Sequence, residues 1–440
     1  MTTRLDTIES SPFGRDRHCQ IAVRGPCQPL LGQAALQGAK NVTMPVLTAA
    51  ALSHGKAVVA NVPNIEDIRS LLAIFTHLGL DTRQCADTIV LESRPPSRSV
   101  IPEKLSARLR GSIYTLAIPA IHFGRGQIGA IGGDLIVGRS LEPHARAFAG
   151  FGMSLDRRGI GWELSGGPPR PGEFSLQDRP AGVSASALAV LLAAALDGVS
   201  IMHEVSLEPE VLSLLECVKA FGAQVFVDDT TVIIRGPMDS KEAFYKVPFD
   251  DVYGGTLVAA AAITAGEISL PYDLGDRMTS ILQVFSSLGL CVRYTDDHIA
   301  VSGSLRNGIT LESGAYPGFP ADLLPPMTAL LSQAPGASTV IDTVYPSRFD
   351  HIDGLRTLGA RIVRQNNQLM IQGGSRLIGQ CVSAHGIREI AALVVAGLAA
   401  QGRTIIAKAR PLFRGYADLP RDLDQLGADI STEWTSSSNG

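Results

Sequence analysis

The stretch Leu78-Gly79-Leu80-Asp81-Thr82 ends a helical pattern in an apolar–glycine pair and then begins a strand-like run. The same pair recurs at Phe151-Gly152, Phe221-Gly222, Leu288-Gly289, Leu358-Gly359 and Leu426-Gly427. Successive glycines are 73, 70, 67, 70 and 68 residues apart. Glycine suits the position just past a helix, where the backbone takes a positive φ. The spacing therefore predicts a sixfold internal repeat of mixed helix and strand.

Upstream of each pair, the repeats share an order of patterns. An Ala/Leu-rich helix is followed by a turn of small residues, a β-branched strand and a second, amphipathic helix. The apolar helices are predicted at Met44–Leu52, Ala185–Leu196, Thr256–Thr264, Leu324–Leu331 and Ile390–Ala399. Because these helices lack a polar stripe, we expect them inside, with sheets around them. The second repeat, Gly111–Leu164, fits this pattern more loosely.

The length of the chain predicts more than one domain, since 440 residues exceed what a single core usually organises. Six βαβαββ-like units suit two domains of three units each. The predicted domain I spans 40–246, and domain II combines 1–39 with 247–440. The strand Cys19–Val23 precedes the first repeat and is expected to pair within the second domain. We expect both domains to supply ligand groups.

Composition excludes several classes of protein. The formal charge of −4 argues against a nucleic-acid partner, which would need a basic surface. Six dispersed cysteines without a CxxC pair indicate reduced thiols rather than a disulfide framework or a zinc site. No apolar run is long enough for a membrane span, and the first residues show no secretion signal. We expect a cytoplasmic protein, a monomer or weak homo-oligomer, without a metal or cofactor.

The segment Ile128–Arg139 carries four glycines, one carboxylate (Asp134) and one guanidinium (Arg139). A backbone that bends sharply and carries a proton-transfer group beside an anion-binding group is typical of an active-site lid. The alternative is a glycine-rich surface turn between two strands.

Other residues of the sequence are candidates for binding an anion or for transferring a proton. Lys40 and Asn41 open an apolar helix, whose N-terminal end favours a phosphate or hydroxyl ligand. Alternatively, Asn41 is a helix cap and Lys40 a solvated charge. Asp322 directly precedes a helix and suits either a helix cap or a general base. Four further arginines stand in apolar or glycine-flanked settings and suit a small dianion, although each alone fits a surface position: Arg110, Arg348, Arg388 and Arg414.

These motifs resemble the enolpyruvyl transferase family over Gln37 to about Asp429. The matching stretches are Gly38-Ala-Lys-Asn, Arg110-Gly-Ser-Ile, Gly132-Gly-Asp-Leu-Ile-Val-Gly-Arg139, Phe319-Pro-Ala-Asp322, Ser347-Arg-Phe349 and Arg414-Gly-Tyr416. The resemblance favours the branch that acts on UDP-N-acetylglucosamine over the shikimate-pathway branch. It implies an inside-out α/β barrel of two domains, each built from three βαβαββ units. It also implies a transferase of the alkyl/aryl-transferring class.

The resemblance also implies residue roles. Lys40, Arg110, Arg139 and Arg414 would bind phosphoenolpyruvate, with Arg348 and Arg388 in support. Asp322 would be the base and Asp134, at a lid position where the family usually has cysteine, the acid. The acceptor nucleotide would contact these residues: Asn41, Arg139, Ser140, Leu141, Glu142, Asp322 and Val344. The implied reaction moves enolpyruvyl to a hydroxyl of a uridine nucleotide and releases phosphate.

Departures from the family pattern lie on the acceptor side. The loop after Arg139 reads Ser140-Leu-Glu-Pro-His144, a diphosphate-binding Ser-Val-Gly becomes Gly182-Val-Ser184, and a nearby lysine position holds Pro180. Gly386 replaces an aspartate two residues before Arg388. Three hypotheses about function therefore remain open, two of which differ in the acceptor. The first is the 3-hydroxyl of UDP-N-acetylglucosamine in peptidoglycan precursor synthesis, the second the 3′-hydroxyl of UMP in peptidyl-nucleoside antibiotic synthesis, and the third a non-catalytic ligand-binding paralogue.

Overall fold

A computed structural model of the chain describes residues 17–133, 140–176, 182–272 and 278–436. The chain divides into two compact units, and the boundaries fall after Gln37 and after Pro248. Unit 1 comprises Gly38–Pro248, and unit 2 comprises the described residues on either side of it.

The helices of the described residues are as follows: α1 Lys40–Leu52, α2 Glu66–Leu78, α3 Glu103–Ser106, α4 Ala117–Phe123, α5 Glu142–Gly150, α6 Val183–Ala195, α7 Pro209–Ala220, α8 Asp251–Ile263, α9 Thr279–Ser287, α10 Leu324–Leu331, α11 His351–Thr357, α12 Ile387–Ala399 and α13 Leu419–Gln425. Short 3-10 helices occur at Arg110–Leu116, Ala321–Leu323 and Arg410–Arg414. Most of the predicted apolar helices begin two to five residues earlier than expected, because their first turns hold polar or glycine residues that carry little apolar signal.

The strands of the described residues are β1 Arg17–Gly25, β2 Leu31–Gln33, β3 Lys56–Ala60, β4 Thr82–Cys85, β5 Thr88–Glu92, β6 Val100–Ile101, β7 Gly126–Ile128, β8 Ser154–Arg158, β9 Gly161–Ser165, β10 Glu173–Ser175, β11 Gly198–His203, β12 Gln224–Asp228, β13 Thr231–Gly236, β14 Glu242–Lys246, β15 Glu267–Pro271, β16 Cys291–Tyr294, β17 His298–Ser302, β18 Thr310–Glu312, β19 Ala337–Ile341, β20 Arg361–Gln365, β21 Gln368–Gln372, β22 Cys381–Ser383, β23 Gly402–Ala407 and β24 Asp429–Ser436.

Six four-stranded sheets repeat one pairing pattern, in which one parallel pair is followed by two antiparallel pairs. Unit 1 holds the sheets β14-β3-β5-β4, β6-β7-β9-β8 and β10-β11-β13-β12. Unit 2 holds β2-β15-β17-β16, β18-β19-β21-β20 and β22-β23-β1-β24. The second repeat, which fitted the sequence pattern loosely, has the same strand pairing as the others.

Strands distant in sequence complete one sheet in unit 1 and two sheets in unit 2. In unit 1, the last strand, β14, pairs in parallel with the first, β3. In unit 2, β1 lies between β23 and β24, and β2 pairs with β15. The expectation that the strand around Cys19–Val23 pairs within the second domain is confirmed.

The apolar helices form the interior of each unit, as their lack of a polar stripe predicts. In unit 2, α8, α10 and α12 pack against one another. In unit 1, α1 and α6 pack together and against the 3-10 helix Arg110–Leu116. Leu188–Ala194 of α6 and Ile390–Ala396 of α12 have no exposed surface. The sheets show alternating burial along their strands, so one face covers the helices and the other meets solvent.

All six repeat glycines follow a helix in a left-handed backbone conformation, with φ between 80° and 108°. In every case, the residue after the glycine donates its N–H to the carbonyl five residues earlier, as Leu80 does to Phe75 and Ala428 to Leu423. This pattern satisfies helix-end carbonyls that would otherwise lack partners. The repeated sequence signal is therefore a repeated helix stop.

Replacing these glycines tests two destabilising effects of a side chain. One is backbone strain at a positive φ, and the other is steric overlap with neighbouring atoms. Gly427→Ala should lower the free energy of unfolding by about 1 kcal/mol, because alanine is strained in the left-handed region. A Cβ atom at Gly427 would meet no other atom within 4 Å, whereas one at Gly359 would lie 2.7 Å from the carbonyl oxygen of Arg376. Gly359→Ala should therefore cost clearly more. Urea unfolding measures both, and equal losses would contradict the steric argument.

Candidate active site

Lys40, the first residue of α1, forms an ion pair inside unit 1. Its Nζ lies 2.9 Å from Oδ2 of Asp67, and the two side chains are 12% and 3% exposed. Asp67 belongs to the first turn of α2. The reading of Lys40 as a solvated surface charge is therefore wrong, because a buried carboxylate holds the ammonium group.

Asn41 makes a similar contact with a third helix. Its Nδ2 donates a hydrogen bond of 3.3 Å to Oε1 of Glu210, in the first turn of α7. Ala39, not Asn41, occupies the N-cap of α1, so the alternative of a capping asparagine is wrong. The first turns of α1, α2 and α7 thus meet at one end of unit 1. The partial positive charge of these helix ends favours an anionic or hydroxyl ligand there.

The glycine-rich segment after β7 is described up to Gly133; Asp134 and Arg139 lie outside the described residues. Gly132 packs so closely that an added Cβ would lie 2.0 Å from the carbonyl oxygen of Ala107, and one at Gly129 2.4 Å from Cα of Glu103. The Ser106 hydroxyl also donates to the carbonyl of Ala130 at 2.8 Å. In this part of the segment, the glycines permit close approach to neighbouring protein backbone.

Arg110 and the predicted nucleotide loop lie next to each other in unit 1. The Nη2 of Arg110 donates to the carbonyl of Ser140 at 3.2 Å. The hydroxyl of Ser140 accepts the N–H of Glu142 at 3.0 Å and so closes the first turn of α5. Leu141 is buried, and Glu142 pairs with Arg146 at 3.1 Å on the exposed side of that helix. The backbone of this loop is therefore tied to a predicted donor-binding arginine.

Asp322 lies between two guanidinium groups in unit 2. Arg348 Nη1 donates to its Oδ1 at 2.7 Å, and Arg388 donates to its Oδ2 through Nε at 3.2 Å and Nη2 at 2.8 Å. Leu323, not Asp322, occupies the N-cap of α10. The alternative of a helix-capping aspartate is therefore wrong. Arg348 and Arg388 are 11% and 8% exposed in their side chains, and Asp322 is 28% exposed, so the carboxylate is the more accessible group.

The charges of Arg388 and Arg348 hold the pKa of Asp322 far below its ordinary value, and they outweigh the burial that would raise it. Asp322 is therefore expected to be an anion at ordinary pH values.

The loop that carries Arg348 is ordered by a buried carboxylate. Oδ1 of Asp342 accepts the N–H groups of Val344 and Tyr345 at 3.0 and 2.8 Å, and the hydroxyl of Ser313 at 3.0 Å. The ring of Tyr345 in turn lies 5.5 Å from the guanidinium of Arg348. Val344, a predicted acceptor contact, thus uses its N–H within the loop.

Arg414 ends the 3-10 helix Arg410–Arg414, which packs on α12 in the same unit as Arg388. The turn after it is held by Gln37, whose Nε2 donates to the carbonyl of Gly415 at 2.9 Å and whose Oε1 accepts the N–H of Ala417 at 2.7 Å. Unit 2 therefore positions three of the predicted arginines on ordered backbone: Arg348, Arg388 and Arg414.

Comparison with known proteins places these residues in a family. Residues 25–423 match the family model of EPSP synthase (3-phosphoshikimate 1-carboxyvinyltransferase). The chain belongs to this family. It is 31% identical over 419 residues to a UDP-N-acetylglucosamine 1-carboxyvinyltransferase of Pelodictyon phaeoclathratiforme, covering 94% of this chain and 98% of that protein. The predicted family and the class of enzyme, an enolpyruvyl transferase, are thereby confirmed.

Solved structures of the family share the fold. The enolpyruvyl transferase NikO from Streptomyces tendae superposes with a TM-score of 0.86 at 22% identity, covering 95% of this chain and 99% of that one. EPSP synthase from Acinetobacter baumannii superposes with a TM-score of 0.72 at 16% identity, covering 94% and 100%. The predicted fold class, a two-domain inside-out α/β fold, is confirmed, although the three sheets of each unit are separate and no closed barrel is formed among the described residues.

The family residues have partners that sequence reasoning missed. Asp67, Glu210 and Asp342 were not predicted, yet they hold Lys40, Asn41 and the Arg348 loop respectively. Two of them, Asp67 and Glu210, are acidic residues in the first turn of a helix. That signal is ambiguous, because acidic residues at such positions are favoured by the helix dipole whether or not they hold a ligand group.

The described ranges show neither a metal-binding cluster nor a membrane-spanning helix. Among them, no cluster of three or more His, Cys, Asp or Glu residues is arranged to hold a metal ion. Nor does any helix in those ranges have the length and apolar character needed to cross a membrane.

Asp67→Asn tests the buried ion pair. Removing the carboxylate leaves the Lys40 ammonium largely buried without its counter-charge, so the free energy of unfolding should fall by about 2 kcal/mol or more. Glu163→Gln is a matched control in the same unit, because it removes an ion pair with Arg158 of 2.8 Å that is well exposed. The control should change stability much less, because solvent screens an exposed ion pair. Thermal or urea unfolding compares the two variants. Similar losses of stability in both would contradict the assignment of Lys40 and Asp67 as a buried ion pair.

His351 predicts a pH dependence of stability. Burial and the charge of Arg348 lower its pKa from 6.5 to about 3, so the unfolded chain takes up a proton at a higher pH than the folded chain. The free energy of unfolding should therefore fall as pH drops from 6.5 to 4.5, by up to about 1.4 kcal/mol per pH unit from this residue. Asp322 contributes only at lower pH, because its unfolded pKa is near 3.8.

Urea unfolding at several pH values measures this slope. His351→Asn should flatten it, whereas His385→Asn, which changes an exposed histidine of the same unit, should leave it as in the wild type. A His351→Asn variant with the full wild-type slope would contradict the prediction.

Proposed function

We propose that this transferase moves the enolpyruvyl group of phosphoenolpyruvate to a hydroxyl of a uridine nucleotide, and that its acceptor is the 3-hydroxyl of UDP-N-acetylglucosamine. The choice of acceptor is supported by relatives that carry that name and align with at least nine tenths of the chain. The product would be a precursor of peptidoglycan.

The donor would be bound by positively charged side chains. Phosphoenolpyruvate presents a phosphate and a carboxylate, which suit planar guanidinium groups and a lysine at a helix N-terminus. The residues proposed for donor binding are Lys40, Arg110 and Arg414, with Arg348 and Arg388 in support. Arg139 completes the proposed donor set.

The reaction would proceed by addition and elimination. A proton is added to C3 of phosphoenolpyruvate while the acceptor oxygen bonds to C2, and the acceptor hydroxyl gives its proton to a base. The tetrahedral adduct then loses phosphate from C2 and a proton from C3, which restores the double bond. The proton added at C3 would come from Asp134 of the lid, whose carboxyl needs a raised pKa in a closed site to carry it.

Asp322 would be the base, and its geometry is the observation that carries the proposal. Two guanidinium groups orient both carboxylate oxygens, while the side chain keeps 28% of its surface exposed. A general base must be ionised, oriented and within reach of the hydroxyl proton. The two arginine contacts and the lowered pKa of Asp322 support the first two of these conditions.

A second candidate acceptor is the 3′-hydroxyl of UMP. The departures Ser140-Leu-Glu-Pro-His144, Gly182-Val-Ser184 and Gly386 fall on the acceptor side, while the donor residues match the family; Pro180 lies outside the described residues. At Gly386, the N-cap of α12, Glu389 accepts the N–H groups of His385 and Gly386 at 2.8 and 3.1 Å. Glu389 thus satisfies the N–H groups at the start of the helix, whereas Gly386 has no side chain that could accept an N–H group of the first turn.

An acceptor panel tests the proposal. The protein with phosphoenolpyruvate should release phosphate with UDP-N-acetylglucosamine, and mass spectrometry should find the acceptor heavier by one enolpyruvyl group. Release with UMP alone would replace the first candidate by the second, and silence with both and with shikimate 3-phosphate would support a non-catalytic paralogue.

Asp322→Asn tests the base. The variant keeps the side-chain size but cannot accept the hydroxyl proton, so kcat should fall by at least about a hundredfold. Circular dichroism checks that it folds. A folded Asp322→Asn protein with wild-type kcat would remove Asp322 from the mechanism.

A further inference from the structure

Ser313 and Asp342 lie side by side at the ends of two parallel strands. β18 ends at Glu312 and β19 at Ile341, and these two residues are partners in the parallel ladder. The residues that follow them, Ser313 and Asp342, are each 2% exposed. The Ser313 hydroxyl donates to Oδ1 of Asp342 at 3.0 Å. The register of the strands therefore places a buried serine–carboxylate pair at this edge of the sheet.

The chain that leads from this pair to Arg348 is fixed by consecutive hydrogen bonds. Oδ1 of Asp342 also accepts the N–H groups of Val344 and Tyr345, at 3.0 and 2.8 Å. The carbonyl of Tyr345 in turn accepts the N–H of Arg348 at 2.9 Å. The backbone position of Arg348 thus depends on the Asp342 carboxylate.

Ser313 lies at the start of the segment that leads to Asp322. It forms an isolated parallel bridge with Phe319, and the N–H of Gly314 donates to the carbonyl of Phe319 at 3.1 Å. Phe319 is buried and is followed by Pro-Ala-Asp322. The segment therefore returns to Ser313 directly before it reaches Asp322.

Thr343 adds two further bonds between the two segments. Its N–H donates to the Ser313 hydroxyl at 3.1 Å, and its own hydroxyl donates to the carbonyl of Ser313 at 2.6 Å. These bonds connect the chain that leads to Asp322 with the chain that leads to Arg348, in addition to the 2.7 Å contact between those two side chains. Breaking such a bond in a buried place leaves a polar group without a partner, which is unfavourable.

We propose that Ser313 and Asp342 are positioning residues that set the place of Arg348 relative to Asp322, so that the guanidinium meets the carboxylate. The inference rests on the proposed role of Asp322 as the base. Ser313 and Asp342 act through Arg348 and need not touch either substrate.

The same sheet offers a matched control for removal of the Ser313 hydroxyl. Ser375 is 4% exposed and follows β21. Its hydroxyl donates to the carbonyl of Gln372 at 2.9 Å and accepts the N–H of Arg361 at 3.2 Å. Ser313→Ala and Ser375→Ala thus each remove a buried hydroxyl that donates one bond and accepts one. The bonds of Ser375, however, connect the ends of β20 and β21.

The first experiment measures kcat and the melting temperature of both alanine variants, with the acceptor that the panel identifies. Ser313→Ala should lower kcat on the order of tenfold, because Asp342 loses a donor and the N–H of Thr343 loses its acceptor. Ser375→Ala should lower the melting temperature to a similar extent but keep kcat within about twofold. Equal kcat values for the two variants, whether both normal or both reduced, would overturn the inference.

A second background shows whether the effect passes through Arg348. Added to Arg348→Gln, the Ser313→Ala change should lower kcat by less than about twofold, because the contact that Ser313 positions is already absent. A merely structural role would lower kcat by the same factor in both backgrounds, and that result would contradict the proposal.

Substitutions of Asp342 test the hydrogen bonds themselves. The side-chain oxygen of Asp342→Asn can still accept the same N–H groups, so this variant should keep kcat within about threefold of the wild type. Asp342→Ala should lower kcat at least as much as Ser313→Ala does. A folded Asp342→Asn protein as slow as Asp342→Ala would count against positioning by these bonds. Full activity of Asp322→Asn would instead defeat the proposed function.

Discussion

The burial of nearly all-apolar helices is the constraint on which the structure depends. Helices such as α6 and α12 have no polar face. Each unit must therefore use its sheets to cover the helix faces that would otherwise meet water. A fully buried helix has no room for charged side chains along its length. Polar chemistry is therefore confined to the helix ends, where N–H groups lack partners within the helix.

Several charged groups of both units follow this rule. Lys40, Asp67 and Glu210 occupy the first turns of helices in unit 1, and Arg388 occupies that of α12 in unit 2. Buried ion pairs contribute little net stability, because the cost of removing two charges from water offsets their attraction. Their presence at these helix ends is better explained by function than by folding. Asp322, held by two guanidinium groups and still partly exposed, is the clearest example.

The sequence predicted the repeat and the fold class, because each has a periodic or strongly biased signal; the donor-binding residues stay a prediction. Glycine past a helix and an apolar helix without a polar stripe both reflect local backbone and solvent requirements. Partnerships were not predictable in the same way. Nothing local in the sequence distinguishes Asp67, which holds Lys40, from an acidic residue that merely complements a helix dipole. Likewise, position alone favoured Asp322 as a cap, and only the tertiary contacts with Arg348 and Arg388 showed otherwise.

The hydrogen bonds that Arg348 and Arg388 donate to Asp322 have a chemical consequence for the proposed mechanism. A carboxylate whose pKa is held far below its ordinary value is well oriented but has little affinity for a proton. If Arg348 and Arg388 also support the anionic donor, the donor competes for their N–H groups and adds negative charge near the carboxylate. Both effects raise the pKa of Asp322. The base would then gain strength when the donor is bound, while the two arginines would keep its carboxylate in place.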